Sequence, residues 1–408
     1  MALIDVFLAK RVQRGTLTVH HADGKTLSFG TAEPGFPDVA IRFTDAGAAG
    51  AIVRDPGLGA GEAYMNGRLV VEQGDVRDLV RLLTMNDPWE AGQNGLVASP
   101  LRRAIQAVTH RIGRINMARR SKRNVAHHYD LSDRLYDLFL DADRQYSCAY
   151  FTDPSNSLEQ AQSDKKAHIA AKLALKPGMT VLDIGCGWGG MALYLHQMTG
   201  AKVLGVTLSE EQLKVARERA AAAGVADMVT FELIDYRHVQ GKFDRIVSVG
   251  MFEHVGPAHY KTFFRQCRDL LSDDGVMLLH TIGRAGGPGV TDKWTTQYIF
   301  PGGYNPALSE IISANEGLRL MVTDVEVLRL HYAYTLDDWY DRTVAAREQI
   351  VALYDERFFR MWQFYLAGAG AAFHFGGMVN YQVQFAKNRH VLPITRDYMI
   401  EGEQRLRL

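Results

Sequence analysis

The sequence predicts an α/β protein: an open, mostly parallel sheet with helices on both faces, preceded by a small α+β domain. Three observations point there. From residue 181 onward, short apolar runs alternate with helical patterns of about 10–15 residues, the rhythm of βαβ units. A glycine-rich turn, VLDIGCGWGG at 181–190, joins the first run to an apolar-periodic stretch. The chain opens differently, on GTLTVHHADGKTLSFG, a hairpin pattern with Asp23-Gly24 at the turn.

The hairpin is followed by DVAIRF, by AIVRDPGLGAGEAYMNGRLVVEQGD and by an amphipathic helix over Val76–Thr84. No catalytic constellation stands in residues 1–100, which are expected to contact lipid or self-associate. Residues 101–123 carry Arg102, Arg103, Arg111, Arg114, Arg119, Arg120, Lys122 and Arg123 and no acid, with apolar residues interleaved at roughly helical spacing. Such a segment suits an anionic membrane surface and equally a solvated linker. Residues 124–408 form the larger unit. Asn124–Leu140 has Tyr129, Leu131, Leu135, Leu138 and Phe139 at broadly helical spacing, with Asp130 or Ser132 as cap.

Val181–Ile184 is a buried strand, and Asp183 precedes Gly185, Gly187, Gly189 and Gly190. Strand, glycine turn and helix let backbone amides approach a ligand closely. Further strands follow at Lys202–Val206, Met228–Ile234, Phe243–Val249 and Gly275–Thr281; Glu210–Gly224 is a helix capped by Ser209. In such sheets ligands sit beyond the carboxyl ends of the strands, where Asp183, Thr207, Asp235, Tyr236, Glu253 and His280 fall. Thr207 stands where a ribose-binding acid is common; Gln212, one turn on, either bonds the ribose hydroxyls or belongs to a solvated helix face. Gly283–Glu316 reads as a shaped loop whose aromatics, Trp294, Tyr298, Phe300 and Tyr304, are candidates for a tunnel wall. Asp337–Phe375 reads as two helices. Met361–Gln382 lacks Asp, Glu, Lys and Arg over a length that a bilayer needs, yet contains Gln363, His374 and Asn380 and runs into the alternating YQVQFAK, so buried core is expected.

Composition bounds the function. With 46 basic and 46 acidic residues the chain is neutral overall, and no nucleic acid or other polyanion is implied as partner. Three cysteines, Cys148, Cys186 and Cys267, suit a reducing compartment without a disulfide framework. The start MALIDVFLAKRVQRG has too short an apolar run for a signal peptide.

The spacing D-x-G-x-G-x-G-G resembles motif I of the class I S-adenosylmethionine-dependent methyltransferases, in which the acid can face a cationic amino group. Together with NVAHHYDLSDRLYDLFL, QYSCAYF, GVTLSEEQ, GMFEHVG, WTTQYIFPGGYNP and HYAYTLDDW, it makes residues 124 to roughly 390 resemble the cyclopropane-fatty-acyl-phospholipid synthases. The resemblance implies a Rossmann-like, seven-stranded, mostly parallel sheet. It implies transfer of a methylene group from S-adenosylmethionine to the cis double bond of an unsaturated acyl chain in a membrane phospholipid. The alkene attacks the sulfonium methyl, a carbocation forms, and bound bicarbonate removes a proton before the ring closes. Carried over for the reaction are Cys148 and Ile282 through their backbones and Glu253, His280 and Tyr332 through their side chains; motif register favours Tyr332 over Tyr334. Cofactor residues implied are His128, Tyr129, Tyr146, Ser147, Asp183, Gly185, Gly187, Gly189, Thr207, Gln212, Asp235 and Tyr236, with residues 124–140 as a lid, and no metal. The family also implies a homodimer in the cytoplasm, peripherally attached to the inner face of the membrane. Residues 1–100 resemble the amino-terminal domain of bacterial phospholipid cyclopropane synthases, which mycolic-acid relatives usually lack, and so favour phospholipid substrates. Bland readings stand beside these: Glu253 as an exposed strand-end acid, His280 as a core histidine, Cys148 as a nucleophile. Alternatives are a lipid C-methyltransferase giving a methyl-branched or methylene product, a mycolic-acid-type synthase, and a catalytically silent lipid binder.

Overall fold

The computed structural model describes residues 2–92 and 132–407. The basic segment, His128, Tyr129 and Asp130 lie outside the described residues.

The amino-terminal unit packs helices against a four-stranded sheet ordered β2-β1-β3-β4. Its elements are α1 (Leu3–Arg11), β1 (Gly15–His20), β2 (Thr26–Thr31), β3 (Asp38–Phe43), α2 (Ala46–Arg54), α3 (Pro56–Met65), β4 (Leu69–Gln73) and α4 (Val76–Met85). The expected hairpin pairs Leu17 with Phe29 and Val19 with Leu27. Gly24 supplies its turn at φ +87°, a region that other residues rarely enter. Asp75 caps α4: its Oδ1 accepts from the Asp78 N–H at 2.8 Å, and Asp78 Oδ2 accepts from the Asp75 N–H at 3.2 Å, a capping box.

The larger unit begins with α5 (Asp133–Phe139), capped by the Ser132 hydroxyl, and α6 (Leu158–Lys172). The sheet then builds as β5 (Thr180–Ile184), α7 (Gly190–Thr199), β6 (Lys202–Thr207), α8 (Glu210–Ala222), β7 (Val229–Leu233), β8 (Phe243–Val249), α9 (Tyr260–Leu270) and β9 (Leu271–Arg284). After α10 (Lys293–Tyr298) and α11 (Leu308–Asn315) come β10 (Met321–Leu328), α12 (His331–Ala345), α13 (Arg347–Leu353), α14 (Glu356–His374), β11 (Met378–Ala386) and α15 (Asp397–Leu406). The sheet order is β10-β11-β9-β8-β5-β6-β7. Six strands run in one direction, and β11 enters antiparallel between β9 and β10. This is the seven-stranded, mostly parallel α/β sheet expected. Val181 and Leu182 are fully buried because helices cover both faces.

Several bounds differ from the sequence reading by one to four residues, β9 running Leu271–Arg284 instead of Gly275–Thr281. Residues 337–375 hold parts of three helices, not two, because Asp355 starts a new one by accepting the Phe358 N–H on its Oδ1 at 2.6 Å. Residues 361–382 end one helix and begin β11; among the described residues no helix is long and apolar enough to cross a membrane.

The two units meet along α3 and α4. Tyr340 of α12 donates to Asp75 at 3.0 Å, Arg77 pairs with Asp341 and Arg81 with Asp337, each at 2.7 Å, and Tyr64 donates to Gln363 at 2.7 Å. The Trp294 indole lies against α3 at Gly61, where an added Cβ would meet it at 2.4 Å.

Candidate active site

The carboxyl ends of the parallel strands open on one cavity of about 1170 Å³. That exceeds the roughly 300–1,000 Å³ of an ordinary small-molecule site, leaving room for a cofactor and a second ligand. One end is the glycine turn. Gly185 and Gly187 hold φ of +83° and +53° and line the wall. A Cβ on Gly185 would strike the Met251 Cβ at 2.8 Å, while nothing stands within 4 Å of Gly187, whose backbone therefore faces open space. Gly189 departs from expectation. It is not among the lining residues, and its missing Cβ is required by Phe231 Cζ at 2.7 Å, so it serves packing rather than ligand contact.

Asp183, one residue before the end of β5, is buried, and its Oδ2 has no hydrogen-bond partner among the described residues. Burial pushes its carboxyl up to about 7, against the pull of Lys165. An unpartnered buried carboxylate oxygen on a cavity wall fits a cationic ligand such as the amino group of S-adenosylmethionine. Thr207 donates to Gln212 Oε1 at 3.1 Å, so the amide N–H of Gln212 is the donor offered at this wall; both residues are buried, not solvated. Asp235 sits below the usual carboxylate range despite partial burial, because Arg237 hydrogen-bonds it. Tyr236 packs edge-on to Phe263. Both line the cavity.

The 141–148 loop forms the roof. It is gripped from α6: Lys165 donates to Gln145 Oε1 at 2.7 Å and to the Ser147 hydroxyl at 2.9 Å, and Gln162 donates to the Ser147 carbonyl at 3.0 Å. This presents Tyr146, Ser147 and Cys148 to the cavity. Tyr146 is hydrogen-bonded to Tyr365 and stacks obliquely on Trp339. The Cys148 thiol donates to the Ala149 carbonyl at 3.3 Å, and burial pushes its pKa far above the thiol range. A thiol so held is no nucleophile.

Beyond the glycine turn, Glu253, His280, Ile282 and Tyr332 line the same cavity. Glu253 is buried rather than exposed: Oε1 accepts the Ile282 N–H at 2.6 Å, Oε2 has no hydrogen-bond partner among the described residues, and burial pushes the carboxyl up to about 7. The Ile282 N–H, one of the two backbone groups of that residue, is thus taken by Glu253. His280 lies in the buried run of β9, and burial, aided by Lys165 and Lys172, keeps it neutral. Tyr332 packs edge-on to Phe373 at 4.8 Å; Tyr334 instead leans on Phe151 and is not among the lining residues. Of the loop aromatics, Trp294 and Phe300 reach the cavity, whereas Tyr304 is buried elsewhere with its hydroxyl on Glu310, and Tyr298 donates to Glu62 of α3 at 2.8 Å.

Sequence reasoning missed the far arm. Val76, Leu79, Val80 and Leu83 of α4 and Tyr64 of α3 line this same cavity, so the amino-terminal unit supplies one of its walls. It also missed Trp188, Tyr365 and Asn380. For Asn380 a signal existed: Asn380, Gln382 and Gln384 alternate in an otherwise apolar strand, and all three are buried.

Residues 116–383 match the family model for mycolic acid cyclopropane synthetase, and residues 5–88 match a domain of unknown function. The chain is 42% identical over 287 residues to a probable fatty acid methyltransferase of Pseudomonas putida, covering 67% of this chain and 73% of that protein. It is 38% identical over 336 residues to the cyclopropane-fatty-acyl-phospholipid synthase of Escherichia coli K12, covering 82% and 85%. The structure superposes with a TM-score of 0.62 on mycolic acid cyclopropane synthase CmaA1 complexed with SAH and CTAB, at 36% identity, covering 65% of this chain and 97% of that one. The glycine turn, the buried acid and these likenesses agree: the chain is an S-adenosylmethionine-dependent methyltransferase and belongs to the mycolic acid cyclopropane synthetase family.

Proposed function

We propose that this enzyme converts the cis double bond of an unsaturated acyl chain in a membrane phospholipid into a cyclopropane ring. One observation carries this reading: a single cavity joins the methyl-donor end, at Asp183 and the glycine turn, to an apolar arm walled by α4, with Glu253, His280 and Tyr332 also on its wall. When bound, S-adenosylmethionine supplies an electrophilic methyl group on sulfur. Asp183 and the Gly185–Gly187 backbone hold its amino-acid end, and Gln212 its ribose. The apolar arm takes one acyl chain and brings its alkene to the methyl. Alkene attack on that methyl carbon leaves a carbocation on the lipid. Tyr146, Tyr332, Tyr365 and Phe373 surround this region with aromatic faces, which stabilise a cation by about 0.5–2 kcal/mol each and exclude water that would quench it. The proton then lost comes from the newly attached methyl, and ring closure follows. Glu253, His280, Tyr332 and the Cys148 backbone form a setting in which a small anion such as bicarbonate would supply the base.

The relation to a fatty acid methyltransferase of Pseudomonas putida favours one second reading, loss of the proton elsewhere to give a methylene or methyl-branched product. Incubation with S-adenosylmethionine and vesicles of mixed unsaturated phospholipids, followed by chromatography and NMR of the released fatty acids, separates the isomers. Ring protons support cyclopropanation. Exclusively methylene or branched products establish the second reading, and unchanged lipid refutes both.

A further inference from the structure

His280 is tied to β11 at both ring nitrogens. The Gln382 amide lies 3.1 Å from Nδ1 and the Asn380 amide 2.9 Å from Nε2. Lys172 of α6 settles which way Gln382 points. An ammonium has only donors, and it lies 2.8 Å from Gln382 Oε1. The other end of that amide, the NH2, therefore faces His280. Lys172 is itself held by Glu326, which His168 engages at 2.7 Å, while the other nitrogen of His168 meets Glu403 of α15 at 2.8 Å. The Gln382 orientation is thus anchored by a buried ionic row outside the reaction cavity.

From this geometry we infer that Lys172, acting through Gln382, fixes His280 as the tautomer with its proton on Nε2. A neutral imidazole that accepts an N–H at Nδ1 carries its own proton on the opposite nitrogen. Asn380 must then meet Nε2 with its oxygen. The oxygen and nitrogen of an asparagine amide exchange places by a half-turn, and that half-turn also gives a partner to Asn380 Oδ1, which otherwise has none among the described residues. Asn380 and His280 both line the cavity, and Gln382 does not. The side of the ring nearest the cavity therefore presents an N–H, and its only lone pair is turned away toward Gln382. Lys172, Gln382 and Asn380 are positioning residues. If the functional reading above holds, His280 cannot itself take the substrate proton at Nε2.

The test uses the full chain labelled with nitrogen-15 in its histidine rings, the His280 signals being those lost in His280→Gln. The expected wild-type spectrum at neutral pH is that of a neutral ring protonated on Nε2. In Gln382→Glu the carboxylate becomes an acceptor for Nδ1–H and keeps an oxygen for Lys172, so the tautomer should reverse. Turnover should fall at least about tenfold, the lower part of the range for misplaced proton chemistry, with cofactor affinity unchanged. A wild-type ring protonated on Nδ1, or on both nitrogens, overturns the inference, as does a Gln382→Glu ring still protonated on Nε2. A reversed tautomer with undiminished turnover upholds the inference and refutes instead the placement of His280 in the reaction.

Discussion

Glu253 is held at a cost that pH makes measurable. Its carboxyl is buried with one oxygen unpartnered among the described residues, and its pKa is raised from 4.5 to about 7. A carboxyl with a raised folded pKa binds its proton more tightly in the native state than in the unfolded one. Its contribution therefore favours folding at acid pH and is lost as pH climbs from 4.5 through about 7. At about 1.36 kcal/mol per pKa unit, integration between about pH 5 and about pH 8 gives roughly 2–3 kcal/mol of lost stability from this one group. Glu253→Gln keeps an acceptor for the Ile282 N–H and cannot ionise. Relative to wild type, the ligand-free variant should gain roughly 2–3 kcal/mol between those two pH values, while its turnover collapses. Urea unfolding of both proteins at each pH measures the difference of differences, in which the pH-independent effects of substitution cancel. A difference within about 0.5 kcal/mol of zero, the scatter of an ordinary surface substitution, would mean that the carboxylate is well solvated in the native site and that the argument from burial fails.

Other outcomes follow from the same geometry. Binding a cation at Asp183 favours its carboxylate, so affinity for S-adenosylmethionine should rise as pH passes upward through about 7, with proton release detectable by calorimetry in buffers of different ionisation heat; Asp183→Asn should bind weakly and lose this dependence. Cys148→Ser should keep turnover within a few-fold and lose about 1–3 kcal/mol of stability from the buried hydroxyl, and thiol reagents should not inactivate the folded enzyme. Val80→Trp should shorten the apolar arm and shift products toward shorter acyl chains by about 10–200-fold in relative kcat/KM, the worth of one or two methylenes, with cofactor affinity unchanged. Binding to anionic vesicles should weaken with salt and with charge reversal at Arg119 and Arg120; salt-independent binding would remove the electrostatic rationale for the basic segment.

Much of this was legible in the chain because it depends on short-range pattern. The glycine turn, the Ser209 cap and the β8 boundaries, Phe243–Val249, need only local sequence, and each appears where read. The strand-end rule placed Asp183, Thr207, Asp235, Glu253 and His280 on one cavity without any coordinates. Gly189 was misassigned because a glycine that admits a ligand and one that admits a phenylalanine ring look alike in sequence. The arm under α4 was invisible for a related reason. Val76, Leu79, Val80 and Leu83 have the spacing of any amphipathic helix, and whether such a face meets a core or a cavity depends on what packs opposite. Tyr304 misled in the other direction, since its motif suggested a tunnel while its side chain is buried away from the cavity with its hydroxyl on Glu310.

The wall that α3 and α4 lend to the cavity has a consequence for how such enzymes diversify. The groups proposed to handle the methyl donor and the cation all belong to the larger unit, on its strand ends, loops and helices. The surface proposed to take the lipid tail lies partly in the amino-terminal unit, which joins the larger one through polar bonds and through a shared apolar core that includes Met65 and Val76. Mutations there can retune substrate choice while the chemistry stays untouched, so a lineage facing new membrane lipids has a route to adapt that does not pass through an inactive intermediate.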